Sequence, residues 1–551
     1  MKFDVTSLRN RVARDRWNRV SMGDLFERIA WHDPDKVVIE AWEDAYESAE
    51  NAHMTAGRAD RLANQYANGI LSSGITPGRI VMMVCENSIE AVLVKIGLAK
   101  AGVTVAPVNP NLSADVIGEL IELCEPAAIV MDSQFREKIQ PLVNSYGLKV
   151  LHHINVGSAA ATPSFTEFVE TQSAQEPDVD IGGDDIWELL FTSGSTSAPK
   201  GVMVSHHNTM YVGLSFNGLA MNGVDYESEL TMASFLPVIY HVGDGLIYNA
   251  ILSGGKVVIG RKFNPRELAQ AIHKHKVNCL WGGAPQAIEA VSNEFRKDPG
   301  LDPHSLKTII FGWAPLNPRL YDQIKQVLGE QVKLIEIIGQ TEVCCAHRFW
   351  LEKHIDLYRR TAPQENYVGE PHGLLAAMIA NDKNQPIPIG DSTVGEAVYR
   401  SPSLMAGYYK KAEDTAKAFE GGWFHGGDAF RWGENKQRIL ADRFKDIIKT
   451  GGENVTCIRV EAILGLHPGV QRAVIVGLPH HRWGEAVTAF VIPRADAQLT
   501  EQELLQFVRD KLAPFEMPKK IVFAQSFPET VGGKVQKHVL RAQNSALYEE
   551  N

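Results

Sequence analysis

Residues 189–208, LLFTSGSTSAPKGVMVSHHN, constrain this chain more than any other stretch: two β-prone apolar runs flank a loop of hydroxyls and glycines that ends on one lysine. Such a segment reads as strand, anion-holding loop, strand. Thr192, Ser193, Ser195, Thr196 and Ser197 supply hydroxyls, Gly194 and Gly201 let the backbone approach a ligand closely, and Lys200 adds a fixed positive charge. That chemistry suits a polyphosphate, with a nucleoside triphosphate as the first candidate. The pattern is not G-x-x-x-x-G-K-[ST], in which the lysine precedes a hydroxyl at the start of a helix. Here Lys200 stands between Pro199 and Gly201, and Val202, Met203 and Val204 continue as a strand.

Around this segment, strand-like and helix-like stretches alternate, the pattern of an α/β protein. GRIVMMVCENS reads strand then turn, IEAVLVKIGLAKAG reads as a helix closed by Gly102, and VTVAPVN reads as the next strand. FNPRELAQAIHKHK has Asn264 as a cap and Pro265 at the first helical position, and VNCLWGG follows as a strand. Turn-rich sequence then gives way to strand alternation, which predicts a small β-rich subdomain between Val368 and Leu440. A charged segment with its own strand and helix signals follows. The expected architecture is a large N-terminal domain over 1–441 and a small α+β domain over 442–551, with the boundary near Lys445.

With 551 residues, 44% of them hydrophobic, the chain has enough material for two or more packed cores. A net charge of -11 argues against nucleic acid as main partner. Six scattered cysteines lack C-x-x-C spacing, which fits a reducing compartment, and Cys344 and Cys345 read as packing residues. No run approaches the roughly 18 apolar residues of a membrane span, and the first residues carry alternating charges. The expectation is a cytoplasmic protein; the pattern leaves its oligomeric state open.

TSGSTSAPKG resembles the phosphate-binding signature of the adenylate-forming superfamily: acyl-CoA synthetases, peptide-synthetase adenylation domains and luciferases. Ser197 replaces the usual glycine. Six further segments match the same family in the same order, so the resemblance covers nearly the whole chain beyond about Asn51. LPVIYHVGDGL matches the histidine-bearing segment that closes over the carboxylate substrate, with His241 as the matching residue and Tyr240 sharing the role if the register is one residue longer. Asp244 there either caps a helix or meets a polar substrate. FGWAPL and IEIIGQTEV match a glycine/alanine-rich turn and an aromatic-G-x-T-E motif, which implies nucleotide contacts at Gly339, Gln340 and Thr341 and a Mg²⁺ ligand at Glu342. Two departures are Ile338 in place of the adenine-stacking aromatic and Trp313 in place of a small residue. In GGWFHGGDAFRW, Asp428 matches the ribose-binding aspartate and Gly426 replaces a threonine. ADRFKDIIKTGGENV matches the hinge, with Arg443 on the ribose and Lys445 as pivot. FPETVGGKVQKHVLR matches the segment that carries the catalytic lysine, Lys534, with Lys537 as the alternative.

The resemblance implies that a carboxylic acid attacks the α-phosphate of ATP to give an acyl-adenylate and pyrophosphate, with Lys534, His241, Thr341 and Glu342 catalytic. The small domain then rotates and an acceptor takes the acyl group past Lys449, Gly451 and Gly452. Coenzyme A is the favoured acceptor; an amine, or a binding-only relative without chemistry, are the alternatives. Tyr240, His241, Trp313, Gly339 and Val343 are expected to line the acid pocket, pointing to a small or medium apolar acid.

Overall fold

The computed structural model describes residues 19–157, 160–192, 200–495, 497–529 and 535–548. Among these, the strands form three sheets of thirteen, seven and five strands. The seven-stranded sheet has at its centre the parallel strands Ile80–Val84 and Thr104–Pro107, and carries the hairpin Ile186–Thr192 and Lys200–Ser205 towards one edge. In the hairpin, Thr192 pairs with Lys200, so the strand ends hold the mouth of the loop expected to bind phosphate. That loop's own Ser193, Gly194, Ser195 and Thr196 lie outside the described residues.

Local signals read from the sequence reappear as elements. The helix Ile89–Lys100 is buried along its whole length, and Gly102 just beyond it has φ +65°. The helix Pro265–His275 is capped by Asn264, whose side chain accepts from the amides of Arg266 and Glu267. All six cysteines are free and buried.

The large sheet differs from the expected layout. Strands Tyr367–Pro371, Ala376–Ala380, Gly395–Arg400, Phe424–Trp432 and Arg438–Arg443 make the β-rich region, but it is continuous with the thirteen-stranded sheet. Tyr367–Pro371 pairs antiparallel with His347–Trp350 on one side and with Arg438–Arg443 on the other. Next to His347–Trp350 runs Lys333–Ile338, in which burial alone pushes the Glu336 carboxyl up to about 8.

The third sheet, built on the long hairpin Val470–His480 and Gly484–Pro493, encloses a separate core that includes Ile448, Val460, Ile475, Val487 and Leu504. This is the small C-terminal unit. The strand Arg438–Arg443 runs across the 441/442 boundary, so Asp442 belongs to the large sheet while its carboxylate accepts from the Cys457 amide at 2.5 Å. That bond caps the helix Cys457–Leu464, whose own N-cap, Thr456, makes no side-chain bond.

Candidate active site

The turn 339–343, which follows the strand Lys333–Ile338, is the hub of the site. Its sharpness depends on Gly339: a Cβ there would lie 2.5 Å from the Cys345 amide nitrogen. Three consecutive residues of the hub, Gln340, Thr341 and Glu342, reach outward to segments far apart in sequence.

Gln340 donates from Nε2 to the Gly426 carbonyl at 3.4 Å and to Asp428 at 3.5 Å. A Cβ at position 426 would sit 2.2 Å from that nitrogen, so the glycine in place of the family's threonine makes room for the Gln340 amide. Asp428 is 6% exposed, and its other oxygen takes Arg443 Nε at 2.9 Å. Burial opposes the Arg443 charge, but the Asp428 carboxylate, together with Glu342 and Asp446 beyond it, holds the guanidinium above its usual pKa.

The Thr341 carbonyl lies 2.9 Å from Nδ1 of His241. Facing a carbonyl, Nδ1 is the protonated nitrogen. Burial lowers the His241 pKa and keeps the ring neutral, so Nε2 is a buried lone pair with no partner. His241 opens the helix His241–Leu252, with Tyr240 as its N-cap. Glu342 is 8% exposed and accepts the Tyr408 hydroxyl at 2.9 Å. Tyr408 in turn lies under Lys200, whose Nζ is 4.8 Å from the ring centroid and 3.0 Å from Asp414. The ion pair with Lys200 holds the Asp414 carboxyl below its usual range.

Trp313 adopts φ +66°, a backbone region that favours glycine. Its ring sits edge-on to both Tyr240 at 6.5 Å and Trp281 at 5.5 Å, with 40% of the residue exposed. Tyr240 and Trp313 therefore meet as one aromatic wall. Val343 does not join them: it is fully buried in a cluster with Leu190, Val202 and Val204. Asp244 is buried and is held by Lys95, at 2.7 Å from each carboxylate oxygen.

In the small unit, Gly451 and Gly452 form the two-residue turn between Ile448–Thr450 and Glu453–Val455, with φ of +59° and +90°. Two successive positive φ values are what a type I′ hairpin needs, which explains the pair locally. Lys449 and Lys445 are exposed over much of their surface; partial burial, with the Arg443 charge nearby, lowers the Lys445 pKa. Lys534 lies outside the described residues. Lys537 pairs with Glu461 at 2.8 Å, and Arg541 pairs with Asp446 at 2.8 Å, so the C-terminal helix Lys537–Gln543 is bolted to the residues around the hinge. Burial opposes the Lys537 charge, yet Cys457, Glu461 and Asp442 around it raise its pKa above the usual value. That role ties Lys537 to packing within the small unit. Tyr408, Asp414, Lys95 and Asp442 did not stand out in the sequence.

Known proteins resemble this chain over nearly its whole length. The AMP-binding enzyme family matches residues 26–409, and the AMP-binding enzyme C-terminal domain matches residues 459–534. The long-chain-fatty-acid–CoA ligase FadD13 of Mycobacterium tuberculosis is 26% identical over 94% of this chain and 99% of its own. A feruloyl-CoA synthase from Amycolatopsis sp is 27% identical over 89% of this chain and 93% of its own. The crystal structure of ATP-bound MatB from Rhodopseudomonas palustris superposes with a TM-score of 0.82 at 25% identity, covering 96% of this chain and 99% of that one. A hub that joins Lys200, His241, Asp428 and Arg443 around one Gly-Gln-Thr-Glu turn, in a chain matched by that family over most of its length, makes this protein a member of the AMP-binding enzymes.

Proposed function

We propose that this protein is an AMP-forming acid–thiol ligase: it activates a carboxylic acid with ATP to an acyl-adenylate, releasing pyrophosphate, and passes the acyl group to coenzyme A. The observation that carries this reading is the convergence of the triphosphate-side residues (Lys200, Glu342 with Tyr408) and the ribose-side residues (Asp428 with Arg443) on the turn 339–343.

Asp428 and Arg443 bind the ribose, and Gln340 steadies Asp428. Thr341 and the 192–200 segment hold phosphate oxygens. A Mg²⁺ ion fits at Glu342, because such an ion takes most of its ligands from phosphate and water and needs only one or two protein carboxylates. One carboxylate oxygen already accepts the Tyr408 hydroxyl, which orients the group. When bound, the ion would neutralise charge on the phosphates. Lys534 is the proposed catalytic lysine, bridging the acid oxygen and the α-phosphate as two anions meet. Lys445 is the pivot between the large and small units.

For the acceptor, the surface beside the Gly451–Gly452 turn favours coenzyme A. His480 stacks on His481 and Trp483, at 4.7 and 4.3 Å between ring centroids. Arg482 and Lys519 lie 5.6 and 4.9 Å from the Trp483 ring, and the Gly451 amide bonds the Trp483 carbonyl at 2.9 Å. An aromatic platform edged with cations suits an adenine that carries phosphates. The Tyr240–Trp313 wall favours a small or medium apolar acid. No helix among the described residues is long and apolar enough to cross a membrane, and the cytoplasm, with its ATP and coenzyme A, is the proposed site of action.

The test is pyrophosphate release from ATP and Mg²⁺ with acetate, butanoate, octanoate, benzoate and ferulate, with and without coenzyme A. Acid-dependent release accelerated by coenzyme A, with the thioester identified by mass, is expected. Acceleration by amines in place of coenzyme A would move the reading to amide formation, and absence of release with every acid would refute it.

A further inference from the structure

Behind the acid wall lies a group of charges that the reaction as described does not use. Lys95 on the helix Ile89–Lys100 is fully buried. Its Nζ donates to both oxygens of Asp244 at 2.7 Å and to the Val238 carbonyl at 3.0 Å, and it lies 2.5 Å from Oε1 of Glu188. The Trp187 ring is 5.4 Å away on a further side. Glu188 and Asp244 are 0% and 1% exposed.

What matters is where these partners sit. Val238 stands two residues before Tyr240 and Asp244 three after His241, so Lys95 grips both ends of the segment expected to close over the acid. Glu188 stands four residues before Thr192, on the strand that leads into the expected phosphate loop. One ammonium thus joins the acid side of the site to the phosphate side. Buried ion networks are costly to form and rigid once satisfied, so a brace at this junction fixes distance rather than adding general stability.

We propose that Lys95, Asp244 and Glu188 are positioning residues for acyl-adenylate formation, setting the spacing between the carboxylate held by the 236–242 segment and the triphosphate held beyond Thr192. The proposal rests on the ligase reading above. A displacement of about 1 Å at a reacting pair costs on the order of 10²-fold in rate, which sets the expected effect. The acyl-adenylate, once made, has its acid and phosphate joined covalently, and the thioester-forming step no longer depends on that spacing.

The test uses Lys95→Met/Asp244→Asn in a Glu188→Gln background, which removes the ammonium without leaving either of its buried carboxylate partners charged. Glu188→Gln, which keeps an acceptor, is compared with Glu188→Leu, which does not. Lys325→Met/Glu352→Gln is the control: Lys325 is also a buried lysine, paired with Glu352 at 2.9 Å, on the helix Pro318–Leu328. Adenylation is read from pyrophosphate release with the most active of the five acids, thioester formation from its chemically prepared acyl-adenylate, and local order from hydrogen exchange at 186–192 and 236–248. In the triple variant, adenylation kcat/KM is expected to fall about 10²-fold, thioester formation to stay within about threefold, and exchange to rise in those two segments alone. Glu188→Gln is expected to recover most of what Glu188→Leu loses, and the control to leave the ratio of the two half-reactions unchanged. Equal losses in both half-reactions, the same split in the control, or unchanged exchange in the two segments would overturn the proposal. If no acid gives pyrophosphate with the wild type, the ligase reading fails, and the exchange data alone decide whether the brace exists.

Discussion

Replacing Glu336 by glutamine should stabilise the protein at neutral pH, and the size of the gain follows from its setting. Glu336 lies within the strand Lys333–Ile338, and burial pushes its carboxyl from the ordinary 4.5 up to about 8. A carboxyl whose folded pKa exceeds its unfolded one contributes stability that is fully present below about 4.5 and is lost as pH rises through about 8. At pH 7 the unfolded chain ionises this group freely while the folded one must keep it neutral. The interval from 4.5 to 7, at about 1.4 kcal/mol per pH unit, corresponds to a cost of about 3 kcal/mol. Above pH 8 the cost levels off near 5 kcal/mol, on the order set by the same constant. Glutamine has nearly the same shape and no ionisation to suppress. Urea unfolding of the wild type and Glu336→Gln, followed by tryptophan fluorescence between pH 4.5 and 8.5, should show curves that coincide at the acid end and diverge in the variant's favour by about 3 kcal/mol at pH 7. An infrared band of a protonated carboxyl at pH 7, absent from the variant, would identify the group directly. A pH-independent gap, or a variant less stable at pH 7, would refute the reasoning, since either result means that Glu336 is not held neutral by burial.

Three further outcomes are expected. Gly426→Thr forces the Gln340 amide, 2.2 Å from the new Cβ, off Asp428; the KM for ATP should rise by about three- to tenfold, as loss of about one modest hydrogen bond implies, and Gln340→Ala in the same chain should recover part of it. Lys534→Ala should lower adenylation by roughly 10² to 10³ without moving the melting temperature, whereas Lys537→Met strands Glu461 and should destabilise the small unit by about 3 kcal/mol or more, seen in thermal unfolding. Gly451→Val puts a β-branched residue at φ +59° and should cost about 1–3 kcal/mol, read as faster hydrogen exchange over 448–455, with thioester formation slowed more than adenylation.

Chemistry that acts over a few residues was legible in the sequence. The cap by Asn264, the proline after it and the end near Gly102 are local, and the structure carries them as read. The motif segments likewise carried the family and its layered fold. What the sequence concealed was partnership at a distance. Asp244 was legible as a helix cap or a contact to a polar substrate, yet its partner is Lys95, on another helix nearly 150 positions earlier. Tyr408 bonds Glu342 from a segment whose alternation signalled only a strand. Gly451 and Gly452 suggested room for a ligand arm, and their dihedral angles supply a sufficient reason in the turn itself. The β-rich region read as a small subdomain because turn-rich sequence gave way to strand alternation, and pairing through Tyr367–Pro371 makes its strands continuous with the main sheet. Such pairings are set by which surfaces meet, and a linear pattern does not encode that choice.

The bond from Asp442 to the Cys457 amide has a practical consequence for protein engineering. A small domain grafted from a relative onto this scaffold inherits its helix cap from whichever parent contributes residue 442. A crossover placed after Arg443 leaves the incoming helix dependent on the host's carboxylate, and one placed before Asp442 carries the cap along with the helix it serves. Chimeras joined on either side of that single position should therefore differ in how readily the grafted domain folds, although both retain every residue of its core.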